Sequence, residues 1–226
     1  MTNSLVPLLL TLKVAGCATL AASVIGVAFA YLMAGVRIPG KEWADALLTL
    51  PLVMPPTVLG YYLIVVFGRK GWIGQWLYES FGVSLMFTWQ GAVLASTVVS
   101  LPLVYKAART AFEGVDPNLE RAARTLGLSE AGVFLRVSLP LAWRGILAGT
   151  MLAFARAMGE FGATLMVAGN LPGKTQTLSL AVYEAVQVGN DRLACTLVLI
   201  TSLVCMLILV FSGRILKTQY LKEVDR

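Results

Sequence analysis

The chain has 226 residues, 58% of them hydrophobic and 13% charged, with a mean hydropathy of +0.78. A water-soluble domain carries about 25% charged and roughly 45–50% apolar residues, so that class is excluded. The net charge of +6 reads as loop charge flanking apolar spans, not as a nucleic-acid surface. With no histidine and three scattered cysteines there is no basis for a zinc site, a histidine proton relay or a disulfide framework.

An apolar run of about 20 residues is long enough to cross a bilayer. Four charge-free runs reach that length: 14–36, 46–68, 86–105 and 193–213. A fifth, 145–169, holds only Arg156 and Glu160. The prediction is an all-α integral membrane protein forming one transmembrane domain over 1–226. It has five transmembrane helices, or six if the shorter apolar segment 178–188 enters the bilayer.

The first run has no basic stretch before it and continues to full span length, so it reads as an uncleaved helix. Ala18, Ala22, Gly26, Ala30 and Ala34 set a small residue at every fourth position. Such a stripe lets helix backbones approach in lipid, within one chain or across a dimer. Gly145, Gly149, Ala153 and Ala157 repeat the device in the fourth span. Cys17, Cys195 and Cys205 all fall in apolar segments and read as small core residues.

The second span contains Leu50, Pro51, Leu52, Val53, Met54, Pro55 and Pro56. Met54 and Pro55 each precede a proline, which bars them from comfortable α geometry. Broken backbone at membrane depth is tolerated where protein or a water-filled cavity covers it. Pro55 and Pro56 therefore mark either a kink lining a pathway or a distorted helix start near the interface. Residues 71–87 then bring Trp72, Trp76, Tyr78 and Phe81 with few charges, the composition of an interfacial aromatic belt.

Residues 116–140 are polar and arginine-rich, yet they lie between two long apolar segments. Asp116 suits an N-cap and Pro117 the first helical position. Leu119, Ala122, Ala123 and Leu126 fall at i, i+3, i+4 and i+7, one apolar face of a short helix. Gly127 fits the left-handed position that ends it. Ser129 caps a second helix from Glu130 toward Leu139 and Pro140. The alanine face, flanked by Glu120, Arg121 and Arg124, has the shape to seat in a partner's groove. The other reading packs it on its own membrane domain.

Two stretches imitate a nucleotide-binding loop. Residues 168–175 match a permissive P-loop pattern with alanine for the first glycine, and 35–42 match with Glu42 where a serine or threonine must hold magnesium. A P-loop needs a strand before it and a helix N-terminus after it. Both stretches follow predicted membrane helices, so neither is assigned to nucleotide. If ATP drives this protein, another chain hydrolyses it.

Basic residues set the orientation. Arg37 and Lys41 fall on one side of the membrane with Lys106, Arg109, Arg121, Arg124, Arg136 and Arg144, and with Arg214, Lys217, Lys222 and Arg226. Arg69, Lys70, Lys174 and Arg192 fall on the other. This puts 116–140 and the C-terminus in the cytoplasm and the N-terminus outside.

The segment 116–140 resembles the EAA loop of binding-protein-dependent ABC importer permeases. That pattern is Glu-Ala-Ala, three residues, Gly, nine residues, then Ile-x-Leu-Pro. Here Ala122, Ala123, Gly127, Leu139 and Pro140 match in identity and spacing. Arg121 stands where the family has glutamate, with Glu120 beside it, and Val137 replaces isoleucine. A second block, 153–164 continuing to 169–178, is similar to the molybdate branch of the family, as is 50–60. Sulfate permeases carry a related block, and the short chain favours the molybdate branch.

The resemblance implies a type I importer permease that works as a homodimer in the inner membrane. It implies a cytoplasmic ABC ATPase dimer holding Mg-ATP, no cofactor or catalytic residue in this chain, and a periplasmic or extracellular oxyanion-binding protein. The coupling residues it implies are Glu120, Arg121, Ala122, Ala123, Leu126, Gly127, Leu139 and Pro140. Arg156 and Glu160 sit at i and i+4. A charge within a span faces the protein interior or water. Either Arg156 touches the passing oxyanion or the two form a structural clasp. Asn170, Lys174 and Thr175 lie at the outer mouth, where they contact the receptor, guide the anion or simply build a loop. Rival readings are a sulfate or thiosulfate permease of the same architecture, a membrane-embedded enzyme and a secondary transporter. The scarcity of intramembrane acids weighs against the last two.

Overall fold

A computed structural model describes residues 2–35 and 40–224, and every regular element among them is helical. In chain order these are α1 Thr2–Gly35, α2 Lys41–Val53, α3 Pro56–Phe67, α4 Trp72–Phe81, α5 Trp89–Glu113, α6 Pro117–Thr125 and α7 Glu130–Val133. A π-helical turn, Phe134–Ser138, leads into α8 Leu139–Met158, followed by α9 Gly162–Ala168, α10 Leu178–Gln187 and α11 Asp191–Val224. Arg37 and Arg226 lie outside the described residues, as does part of the 35–42 stretch.

The post of the bundle is α5, against which α1, α2, α8 and α9 all rest. Its buried face is made of small residues and hydroxyls, among them Ala92, Ala95, Ser100 and Ala108. Two of the hydroxyls bond within the helix: Thr97 Oγ1 donates to the Val93 carbonyl at 2.7 Å and Ser100 Oγ to that of Ser96 at 2.7 Å. A polar atom bonded in this way can enter an apolar interior at little cost.

Both small-residue stripes pack on α5 within the chain. Ala18, Ala22, Gly26 and Ala30 are buried along α1. A Cβ built on Gly26 would meet Val104 Cβ at 3.1 Å. On α8, Cβ atoms at Gly145 and Gly149 would lie 2.5 Å from the methyls of Ala111 and Ala107. Only glycine permits that approach.

Among the described residues four helices are long and apolar enough to cross a membrane, and the bent pair α2 and α3 together has the length and composition of a fifth span. The pair turns through 116° at Met54 and Pro55, whose ψ angles of 141° and 136° are extended, as residues preceding proline require. The fourth span differs from the uninterrupted run expected over 145–169. It stops at Met158, and α9 restarts at Gly162. The break falls beside the only two charges of this run, Arg156 and Glu160.

Segment 178–188 holds α10, about 15 Å long at 1.5 Å per residue, half the hydrocarbon thickness. It is too short for a sixth span. Its buried residues, Leu178, Leu180, Ala181 and Ala185, pack toward α11 and α1. Thr11 on α1 caps it by accepting the Leu178 N–H at 2.8 Å. The cysteines depart from the expected core positions: Cys17 and Cys195 are exposed on the outside of the bundle and Cys205 is half-buried. On α4 and its flank, Trp72, Trp76, Phe81 and Phe87 are exposed, the arrangement an interfacial belt needs.

Candidate coupling helix and broken-span site

The capping chemistry of α6 is as the residues dictate. Asp116 accepts the Asn118 N–H at 2.9 Å, Pro117 opens the helix, and Gly127 follows it at φ +86°. Ser129 accepts the Gly132 N–H at 3.3 Å and starts α7. The predicted apolar face, however, divides. Ala123 is 6% exposed and turned onto the protein's own body, whereas Leu119, Ala122 and Leu126 are exposed, Leu126 at 84%. The outward stripe 119, 122 and 126 remains free for a partner.

Beneath α6, the Ser138 hydroxyl donates to Glu120 Oε1 at 2.6 Å. Arg124 reaches both Glu120 Oε2 at 3.6 Å and Glu130 Oε1 at 2.7 Å. Its hydrogen bond to Glu130 holds the guanidinium above the usual arginine range, so it stays charged. Arg121 is exposed and takes no part in these pairs. Glu120 and Arg124 thus tie α6 to the start of the fourth span.

Pro140 stands in the first turn of α8 and cannot donate to the turn before it, and the π turn immediately precedes it. The half-buried Leu139 and Phe134 pack on the core beside Ala142. Phe134 also stacks on Tyr31 at 4.6 Å, and Tyr31 on Phe112 at 5.4 Å. These aromatic contacts join the α6 ends of α1, α5 and α8.

The two interrupted spans meet. Gly162 packs on Pro56, and Gly60 packs on Met166, with a built Cβ only 2.6 Å from the methionine Cβ. Pro55 and Pro56 are exposed. Arg156 Nη1 lies 2.8 Å from Glu160 Oε2, and Glu160 Oε1 accepts the Ala163 N–H at 2.9 Å. Glu160 is 2% exposed and Arg156 35%. Both carboxylate oxygens have a partner at the break, and the guanidinium is one-third exposed.

At the opposite end from α6, the three mouth residues differ in surroundings. Asn170 Nδ2 donates to Glu184 at 2.7 Å, and Gln176 donates to the same carboxylate. Lys174 is exposed. Thr175 is fully buried, donates to the Gly169 carbonyl at 3.3 Å and accepts the Leu171 N–H at 3.0 Å. That overturns it as a surface contact and makes it a builder of the loop. The P-loop-like stretch 168–175 follows a helix, and no strand occurs among the described residues.

Sequence reasoning missed a polar cluster near α6. Tyr105 OH donates to Asp45 Oδ1 at 2.7 Å, Arg109 bonds the same oxygen, and Arg109 Nε donates to Glu113 at 2.8 Å. Lys41 stands 3.9 Å from Glu113. The only available signal was Asp45, an acid at the edge of an apolar run. Among the described residues no three His, Cys, Asp or Glu side chains group to hold a metal.

A helical bundle with one broken pair of spans and a capped helix projecting at one end is the architecture of a type I ABC importer permease. The methionine ABC transporter MetNI, solved in inward-facing conformations, superimposes with a TM-score of 0.72 at 19% identity, covering 96% of each chain. A bacterial alginate ABC transporter, solved with its alginate-bound periplasmic protein, gives 0.72 at 13%, covering 95% of this chain and 78% of that one. The chain belongs to the family of binding-protein-dependent transport system inner membrane components, whose model matches residues 23–221. Its relatives include the molybdenum transport system permease protein ModB of Escherichia coli K12, 47% identical over 90% of both chains. ModB of Haemophilus influenzae is 44% identical over 88% of this chain and 89% of its own. The sulfate transport system permease protein CysT of E. coli K12 is 33% identical over 95% and 76%.

Proposed function

We propose that this chain is the membrane-spanning subunit of an ATP-driven importer for molybdate, with tungstate as the anion of like shape and charge. The observation that carries the reading is the 47% identity to a molybdenum permease over 90% of both chains, against 33% to a sulfate permease whose own chain is matched over only 76%. Two copies form the pathway. A pair of ATPase subunits binds and hydrolyses Mg-ATP, and a separate receptor delivers the oxyanion at the end carrying Lys174.

The end carrying α6 is cytoplasmic in this reading. Lys41, Lys106, Arg109, Arg121, Arg124 and Arg136 support it, since the positive-inside rule places such clusters there. The ATPase receives the stripe Leu119, Ala122 and Leu126. Closure of the ATPase pair around ATP moves α6, and Glu120 on Ser138 carries that movement into α8.

Along α8 the movement reaches the breaks at Pro55, Pro56 and Glu160. Arg156 and Glu160 clasp the chain at its break, and the exposed third of Arg156 leaves its charge within reach of a passing dianion. One guanidinium with a neutralising carboxylate holds it weakly, and conduction requires that it let go. Selectivity rests with the receptor.

The test is reconstitution in liposomes with the ATPase and the receptor. ATP-dependent uptake of labelled molybdate, with sulfate a poor competitor, is the expected result. Full uptake without the ATPase would overturn the reading, and efficient competition by sulfate would move the chain to the sulfate branch.

A further inference from the structure

We infer that Asp45 and Arg109 are positioning residues of the transport cycle: their ion pair harnesses α2, the first arm of the broken span, to the end of α5 that enters α6. The inference rests on the importer reading above and adds a second line of force to it, separate from the line through Ser138 and α8.

The first observation is that an apolar core holds α2 only lightly, through the half-buried Leu48. None of its residues is fully buried, and Trp43, Leu47 and Val53 are exposed. The helix it rests on is α5. With so little apolar burial, polar contacts weigh heavily in setting α2, and here they converge on one short stretch of α5.

Tyr105 is wholly buried, and a buried phenol needs a partner for its hydroxyl; Asp45 supplies it at 2.7 Å. One helical turn on, Arg109 bonds the same carboxylate oxygen and turns its Nε to Glu113. Lys41, at the start of α2, reaches Glu113 from the other side. Two points of α2, one turn apart, are therefore fixed to two successive turns of α5. A single contact would let α2 pivot, and two do not.

The second observation is where this clamp sits. Glu113 is the last residue of α5, Val115 is buried, and α6 begins at Pro117. Any displacement of α6 acts on α5 within four residues of the clamp. The far end of α2 turns through 116° into α3, and α3 packs on α9 through Pro56 on Gly162 and Gly60 on Met166. With the clamp closed, α2 is a lever whose driven end lies at α6 and whose working end lies at the two breaks. With it open, α6 still moves α8, but α2 and the α3–α9 pair are released from it.

The experiment uses the complete transporter with its ATPase and receptor in proteoliposomes, measuring ATP hydrolysis and molybdate uptake in the same vesicles. Asp45→Asn and Arg109→Gln are expected to lower uptake per ATP hydrolysed by about tenfold, the scale of a lost coupling contact. Hydrolysis and subunit association should persist. Arg109→Lys, which keeps a cation beside Asp45 and Glu113, should recover part of the ratio. Tyr105→Phe keeps the packing and removes only one hydroxyl, so it tests the clamp if the charged variants assemble poorly; it should lower the ratio in the same direction.

An unchanged uptake-to-hydrolysis ratio in assembled Asp45→Asn, or in Tyr105→Phe, would overturn the inference. So would an equal fall of uptake and hydrolysis, which marks a merely structural role. Absence of ATP-driven uptake in the unaltered transporter would instead defeat the importer reading itself, and that outcome is seen before any variant is made.

Discussion

Gly162 lies so close to Pro56 that a Cβ placed on the glycine would stand 2.7 Å from the proline Cβ. The breaks in the second and fourth spans are therefore built against each other, and two interruptions far apart in sequence form one interrupted layer. Backbone groups freed at such a layer need cover from protein or water. Glu160 supplies part of it by accepting the Ala163 N–H.

Filling this contact should be costly. Gly162→Leu and Gly60→Leu are expected to lower stability by about 1–3 kcal/mol each, the usual penalty of overpacking. Thermal unfolding in detergent reads this as a fall in Tm. Gly16→Ala, where nothing lies within 4 Å of the added methyl, is the matched control and should leave Tm in place.

The pair at the break should show strong coupling. Arg156→Ala leaves the Glu160 carboxylate buried without its cation. Loss of one partner of a buried pair costs about 3–5 kcal/mol; with Arg156 one-third exposed, about 2 kcal/mol is expected after screening. The double variant Arg156→Ala with Glu160→Ala should cost less than the sum of the singles. Unfolding of the four members of this cycle checks it, and strict additivity would show that the pair is not a clasp.

The divided face of α6 makes a prediction about neighbouring alanines. Ala123→Leu forces a larger side chain against the protein's own body and should cost about 1–3 kcal/mol. Ala122→Leu faces outward and should stay within about 0.5 kcal/mol. Unfolding of the isolated permease, with no ATPase present, separates the two.

Ser138 links α6 to α8, so its loss should loosen α6 without unfolding the bundle. Ser138→Ala removes a hydrogen bond to a carboxylate, worth about 1.5–3 kcal/mol. Amide hydrogen exchange is the direct readout: protection should fall in residues 117–125 and persist in α5. Equal protection in both helices before and after the change would remove Glu120 and Ser138 from the coupling line.

Much of this was legible where local chemistry decides. Asp116, Pro117, Gly127 and Ser129 fix the ends of α6 and α7 through bonds to nearby residues, and the proline pair at 55 and 56 fixes a break through backbone sterics. The break at Gly159–Phe161 was hidden because the run as a whole is long and apolar despite Arg156 and Glu160, and hydropathy counts side chains, not hydrogen bonds. The i, i+4 spacing of Arg156 and Glu160 correctly gave an ion pair, but Glu160 lies beyond the end of α8 and caps the next helix. Which alanine of α6 faces out depends on the body beneath it, and periodicity alone carries no such information. Asp45 and Arg109 are 64 positions apart, so only the fold could bring them together.

The central claim is that the outer stripe of α6 receives force from an ATPase. Its most direct measurement is the amount of ATPase retained by purified permease carrying Ala122→Glu, alongside ATP-driven molybdate uptake by the same variant. The account predicts a normally inserted protein, with unchanged Tm, that retains little ATPase and takes up little molybdate. Full retention with full uptake would contradict it.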